Sequence, residues 1–245
     1  GNPGSIFYMP GQYLSRFPYQ IPLVLIVRLY LKIFGTSGIY VALEFTNAIC
    51  NSITVVLLAK TASAISDSAR TGMIAACLSA LFFPLFFYST FAYGNLLSFP
   101  FCFGALYLQI TGIKANDAKN QLVAALLICI SILIKSTNLL FLVAMLVVWG
   151  VVILRDKNLA SLISAAIAIV LLVANNALVD RMASSLGLDP SQEMPKTAVI
   201  AMGLQEDGSD PLSNNKGWYN GYLWSWSQEE YSAELAKEDS ISSIR

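Results

Sequence analysis

The sequence predicts an all-α fold: a polytopic transmembrane helical bundle followed by a loop-rich extracytoplasmic lobe. Three observations predict it. Charged residues make up 12% of the 245-residue chain, apolar residues 56%, and the mean hydropathy is +0.62, whereas a soluble domain carries about 25% charge. The 43 residues 71–113 contain no Asp, Glu, Lys or Arg, and residues 120–154 contain only Lys135. Apolar runs of this kind recur up to about residue 179, which excludes a single cleaved secretory segment.

The net charge of zero conceals a division. Residues 1–179 carry ten basic and four acidic side chains, and residues 180–245 carry five basic and eleven acidic. A basic-edged membrane part therefore precedes an acidic, water-facing part. The cations lie singly at the ends of apolar runs rather than on one face, so nucleic acid is not expected as a partner. Cys50, Cys77, Cys102 and Cys129 all fall within apolar runs and form no CxxC pair, which reads as small apolar packing. With no histidine in the chain, neither a metal site of the usual His/Cys type nor a Ser/His/Asp triad is expected.

Apolar stretches near the ~20 residues needed to span a bilayer cover 21–34, 38–59, 71–93, 96–113, 121–134, 137–154 and 159–179, which gives six to seven spans. The connectors bearing Lys60 with Arg70, Lys114 with Lys119, and Arg155 with Lys157 alternate with tight turns at Gly94-Asn95 and Lys135-Ser136. The positive-inside rule places the basic connectors in the cytoplasm and the tight turns outside. From residue 38 onward six crossings satisfy this alternation. The stretch 21–34 is short and carries Arg28 and Lys32, so it either crosses or inserts only in part. Three regions follow: 1–20 as the end of an extracytoplasmic loop, 21–180 as the transmembrane region, and 181–245 as an extracytoplasmic lobe. That lobe is rich in Gly, Pro, Asn and Ser, and an amphipathic helix is expected near 228–244, with Ser227 as N-cap and Glu230 in the capping-box position.

Several side chains suit chemistry. Glu44 is the sole acidic residue within an apolar stretch and shares one helical face with Asn47 and Asn51. It either faces a cavity or lies wet near the outer end. Lys135, at an outer turn, either holds a phosphate as a compact charge or snorkels to head groups. Tyr93 and Asn95 stand at another outer turn, and Tyr19 and Gln20 just before the first apolar stretch. Trp218, Tyr219 and Asn220 belong to a cluster of three tryptophans within nine residues, which suits sugar stacking and membrane anchoring equally.

These motifs, in their order, resemble the membrane-embedded glycosyltransferases of the GT-C fold, in particular bacterial relatives of protein O-mannosyltransferases and of the lipid A aminoarabinose transferase. The matching pieces are Tyr13-Leu14-Ser15-Arg16-Phe17-Pro18-Tyr19-Gln20 leading to Ile33-Phe34-Gly35, Pro84 with Tyr88, and Phe91-Ala92-Tyr93-Gly94-Asn95. Leu133-Ile134-Lys135-Ser136-Thr137-Asn138 comes next, and Ile200-Ala201-Met202-Gly203-Leu204-Gln205 precedes Gly217-Trp218-Tyr219-Asn220. The resemblance implies transfer of a sugar from a polyprenyl-phosphate donor to a lipid, glycan or protein acceptor on the extracytoplasmic side of a bacterial plasma membrane, by inverting displacement without a nucleotide-sugar donor; beyond that donor substrate the sequence identifies no cofactor. It also implies an acidic residue in the first outer loop, as general base or acceptor-orienting group. Here no acid precedes Glu44, and Asn95 stands where some relatives place a second acid. The chain is therefore expected to be an internal fragment, inactive alone. A transporter or flippase of lipid-linked saccharide is the competing reading, with Glu44 and Lys135 lining its path.

Overall fold

The computed structural model describes residues 12–188 together with Glu193 and Leu204. They fall in two units, residues 18–187 and a second that includes residues 12–17. In the second unit Gln12–Arg16 forms helix α1, where Tyr13 and Phe17 pair with ring centroids 5.0 Å apart. The first unit begins with a 3-10 turn, Pro18–Gln20, and continues through α2 (Ile21–Ser66), α3 (Ala69–Ala80), α4 (Phe83–Tyr88), α5 (Asn95–Lys114) and α6 (Ala118–Ile134). A second 3-10 turn, Ser136–Asn138, leads into α7 (Leu139–Asp156) and α8 (Leu159–Ser185). No strand occurs among the described residues, as an all-α bundle requires. Apart from its first residues, which prolong α8, and the single residues Glu193 and Leu204, the lobe expected over 181–245 lies outside the described residues, as does the helix near 228–244.

Straight, the 46 residues of α2 would extend about 69 Å, more than twice the hydrocarbon core. Gly35 breaks it, with φ +68° and ψ 180°, a conformation that glycine adopts without the Cβ clash other residues meet. The Tyr30 hydroxyl lies 2.8 Å from Thr46 Oγ1, although 16 residues of straight helix would part them by about 24 Å. Residues 21–34 thus fold back on the start of the segment after Gly35. They form a short arm rather than a separate crossing.

The apolar stretch 71–93, expected as one span, is two short helices. Pro84 lacks the N–H that would bond Ala80, and its ring crowds that carbonyl, so the helix ends at Leu81 and restarts at Phe83. The break opens an apolar groove of about 330 Å³ between α2, α3, α4 and α5.

Contacts along the helices set their directions. Leu57 lies against Gly104, Lys60 over the Tyr107 ring, and Lys114 against Asp67, a constant offset that makes α2 after Gly35 parallel to α5. Gln121 bonds Gly112 O and Ser131 bonds Ser98 O, so α6 runs antiparallel to α5. Gln121 with Ser161 and Cys129 with Ala168 make α8 parallel to α6. Two ends result. One gathers Asp67, Lys114, Asn116 and Asn158, and the other gathers Leu23, Gly94, Ile134 and Asn138.

The core between them is built of Cys102, Ala105, Ala124, Ala125, Ile128, Cys129, Leu142, Met145, Trp149 and Ala168. Its small residues let backbones approach where lipid supplies no hydrophobic drive. Gln109 spans that packing to Met145 O at 2.8 Å, a bond worth about 0.6 to 1.7 kcal/mol in a membrane interior. Cys102 and Cys129 are buried free thiols, which is the apolar packing role read from the sequence. Large apolar side chains cover the outside, Leu154 being 84% exposed. Four helical stretches, 18–66, 95–114, 136–156 and 159–185, are long and apolar enough to cross a membrane.

Candidate functional site

Lys135 ends α6. Its N–H bonds Ser131 O at 2.9 Å, and its backbone then turns extended, with φ −143° and ψ 105°. The ammonium lies 4.0 Å from the centroid of the Tyr93 ring, close enough for a cation–π attraction of about 0.5 to 2 kcal/mol. Among the described residues no carboxylate pairs with it. Burial pushes its pKa below the ordinary 10.5, because a half-desolvated ammonium is costly. A half-buried cation with an aromatic but no anion is ready to receive one.

Gly94 brings three elements to this cation. It precedes α5 with φ +77°, and an added Cβ would stand 3.1 and 3.2 Å from the Leu23 methyls and 3.5 Å from Ile134 O. Only glycine meets both demands. The next residue, Asn95, has a buried Oδ1 with no hydrogen-bond partner. Such an acceptor forfeits about 1 to 3 kcal/mol until a donor reaches it.

A buried polar network fixes these parts. The Asn138 amide donates to Ser98 Oγ at 2.8 Å and to Ser131 Oγ at 2.7 Å. The Ser98 hydroxyl donates to Asn95 O at 2.8 Å, and that of Ser131 to Ser98 O at 3.0 Å. All three side chains are at most 2% exposed. The start of α5, the end of α6 and the turn after Lys135 are thereby tied together. Across the groove, Asn47 on α2 donates to Ser89 O at 3.0 Å and to Phe91 O at 3.1 Å, which anchors the loop that carries Tyr93.

The structure therefore brings together Tyr93, Asn95 and Lys135. Tyr19 and Gln20 occupy the first 3-10 turn, one helical turn before Leu23, and that turn packs against α2 and α8. Glu44 is exposed on α2, one turn before Asn47, with no hydrogen bond or ion pair among the described residues. Trp218, Tyr219 and Asn220 lie outside the described residues. The sequence reading gave no role to Ser98, Ser131 or Asn138. Single small polar residues in apolar runs were the available signal, and they acquire meaning only once the facing helices are known.

Comparison with known proteins supplies one match. A family profile described as dolichyl-phosphate-mannose-protein mannosyltransferase matches residues 22–179, from the start of α2 to near the end of α8. No curated protein and no solved structure matches the chain.

Proposed function

Because the chain belongs to the dolichyl-phosphate-mannose-protein mannosyltransferase family, whose members are membrane glycosyltransferases using polyprenyl-phosphate sugars, we propose that its Lys135 end binds the phosphate of such a donor. The transfer takes place on the extracytoplasmic face of a bacterial plasma membrane, onto a lipid, glycan or protein acceptor. The observation that carries this reading is the half-buried Lys135 ammonium, stacked on Tyr93 and paired with no carboxylate among the described residues.

In the displacement, the acceptor hydroxyl oxygen forms a bond to the anomeric carbon as the bond from that carbon to the phosphate oxygen breaks, and the hydroxyl proton passes to the departing phosphate or to water. Negative charge then grows on the departing polyprenyl phosphate. A fixed cation in a water-poor site offsets that charge without reorganising. Tyr93 holds the ammonium in place, and Asn95 offers an acceptor to a sugar hydroxyl. Tyr19 and Gln20 stand on the same side; Trp218, Tyr219 and Asn220, read from the sequence as sugar-binding, lie outside the described residues. The orientation follows from charge: Arg70, Lys114, Lys119, Arg155 and Lys157 lie at or beside the opposite end of the bundle, which the positive-inside rule assigns to the cytoplasm. In this arrangement regions 1–20 and 181–245 lie outside, flanking the transmembrane region 21–180.

The test is turnover of a polyprenyl-phosphate sugar in membranes that hold the full-length protein. Lys135→Ala is expected to lower kcat by about 10²- to 10³-fold, the cost of removing one charge-stabilising group, at unchanged expression. Unaltered turnover in that variant would overturn the assignment.

A further inference from the structure

The arm of residues 21–34 turns one face to the bundle and one away from it. Leu23 lies against Gly94, and the Tyr30 hydroxyl meets Thr46. At 3.6 residues per turn both fall on one side of the arm. Arg28 and Lys32, four residues apart, share the opposite side, flanked by Val24 and Leu31 on one edge and by Leu25 and Leu29 on the other. All six of these side chains are exposed. Neither cation is in an ion pair among the described residues. The constant α2/α5 offset sets Gly94 level with Asn47, so residues 35–46 run about 18 Å past the start of α5, and the arm folds back beside them. Tyr40, Val41 and Phe45 on this projection are exposed, Tyr40 at 72%. Apolar side chains so open and so close together call for lipid. The arm stands at the end opposite the paired basic connectors, where the positive-inside rule gives cations no reason to be.

We infer that this outward face of the arm is a docking surface for anionic phospholipid, with Arg28 and Lys32 on the head-group phosphates and Val24, Leu25, Leu29 and Leu31 beside them among the acyl chains. A cationic strip edged by leucine and valine is the pattern of a helix that lies in the lipid–water boundary, where long basic stems snorkel to the heads. Charge selects the occupant: a molecule that joins a phosphate to apolar chains matches cations set between apolar edges. The same docking accounts for a stretch that is too short to span and yet apolar and doubly charged. This surface is turned away from Gly94, so the inference stands apart from the glycosyltransferase reading.

The experiment places the full-length protein in phosphatidylcholine nanodiscs that hold a trace of phosphatidylglycerol with a diazirine near its glycerol, or of phosphatidylcholine with the same diazirine, and maps the labelled residues by mass spectrometry. Residues 24–32 are expected to label more strongly with the anionic probe than with the zwitterionic one, and less so as ionic strength rises. Arg28→Gln and Lys32→Gln should each lower that anionic labelling about fivefold, the worth of one cation at an anionic surface. Arg28→Lys keeps the charge and should keep the labelling. Labelling near Lys114 and Lys157, at the other end of the bundle, should be the same in every variant, which reports an intact fold. Equal labelling of residues 24–32 by the two probes, anionic labelling there that survives both glutamine substitutions, or cross-links between the arms of two copies in place of lipid would overturn the assignment. A loss as large in Arg28→Lys as in Arg28→Gln would overturn its basis in charge.

Discussion

The two ends of the bundle handle charge and hydrogen bonding in opposite ways. At the Lys114 end two cations are paired and two helices are capped. Lys114 reaches both oxygens of Asp67 at 2.7 Å, Arg155 pairs with Asp156 at 2.8 Å, Asp117 caps α6 through Lys119 N–H at 2.9 Å, and Asn158 caps α8 while bonding Asn116. At the other end, among the described residues, Lys135 has an aromatic ring in place of an anion, Asn95 Oδ1 has no donor, and Gly94 holds a left-handed turn. Among the described residues, the paired and capped end suits stability, and the end whose half-buried cation faces a ring suits a ligand.

The largest effect separating the ends is the loss of turnover in Lys135→Ala. Its pH dependence sharpens the contrast. With its pKa held below 10.5 by burial, Lys135 loses its proton at a lower pH than an exposed lysine. Turnover should fall on the alkaline side before pH 10.5, and Lys135→Arg should move that limb upward. Stability moves the other way. Between the lowered pKa and 10.5 the unfolded chain binds more protons than the folded one, so stability rises with pH in that window. A pH–rate profile and a melting curve on the same preparation check both signs, and a limb unmoved by Lys135→Arg would assign the titration to another group.

Asn138→Ala comes next. It strips the amide from two buried hydroxyls, Ser98 Oγ and Ser131 Oγ, and should cost about 1 to 3 kcal/mol of stability. Because the network holds Asn95 and Lys135 in register, KM for the donor should rise as well. Thermal unfolding and donor kinetics measure the two effects. A stability loss with no change in KM would show that the site does not depend on the network.

Much of this was legible in the sequence, and the remainder has identifiable reasons. Tyr93, Asn95 and Lys135 share one end because tight turns, with Lys135 as their one charge, alternate with connectors that carry paired cations, a pattern that the sequence displays directly. The fold-back at residues 21–34 was hidden because a hydropathy window registers apolar length and not a φ of +68° at Gly35. The break at Leu81 and Phe82 was hidden for a related reason: 71–93 is apolar throughout, and the bond lost at Pro84 leaves no trace in hydrophobicity. Glu44 drew notice as the lone acid in an apolar run, yet the outward extension of α2 leaves it exposed. Ser98, Ser131 and Asn138 are separated by up to 40 positions, and no periodicity links them.

The smallest expected effect tests the matched end. Lys114 and Asp67 are 41% and 81% exposed in their side chains, and an ion pair so open to water is worth about 0 to 1 kcal/mol and weakens with salt. Lys114→Ala should therefore lower the melting temperature only slightly, with the difference vanishing at high ionic strength, and leave donor KM and kcat unchanged. Melting curves at low and high salt, taken with donor kinetics, measure this. The contrast with Lys135→Ala is then between two lysines at opposite ends of one helical bundle, one with a carboxylate and one without. If Lys114→Ala matched Lys135→Ala in lost turnover, charge at either end would matter through the fold as a whole, and the division between a stabilising end and a binding end would fail.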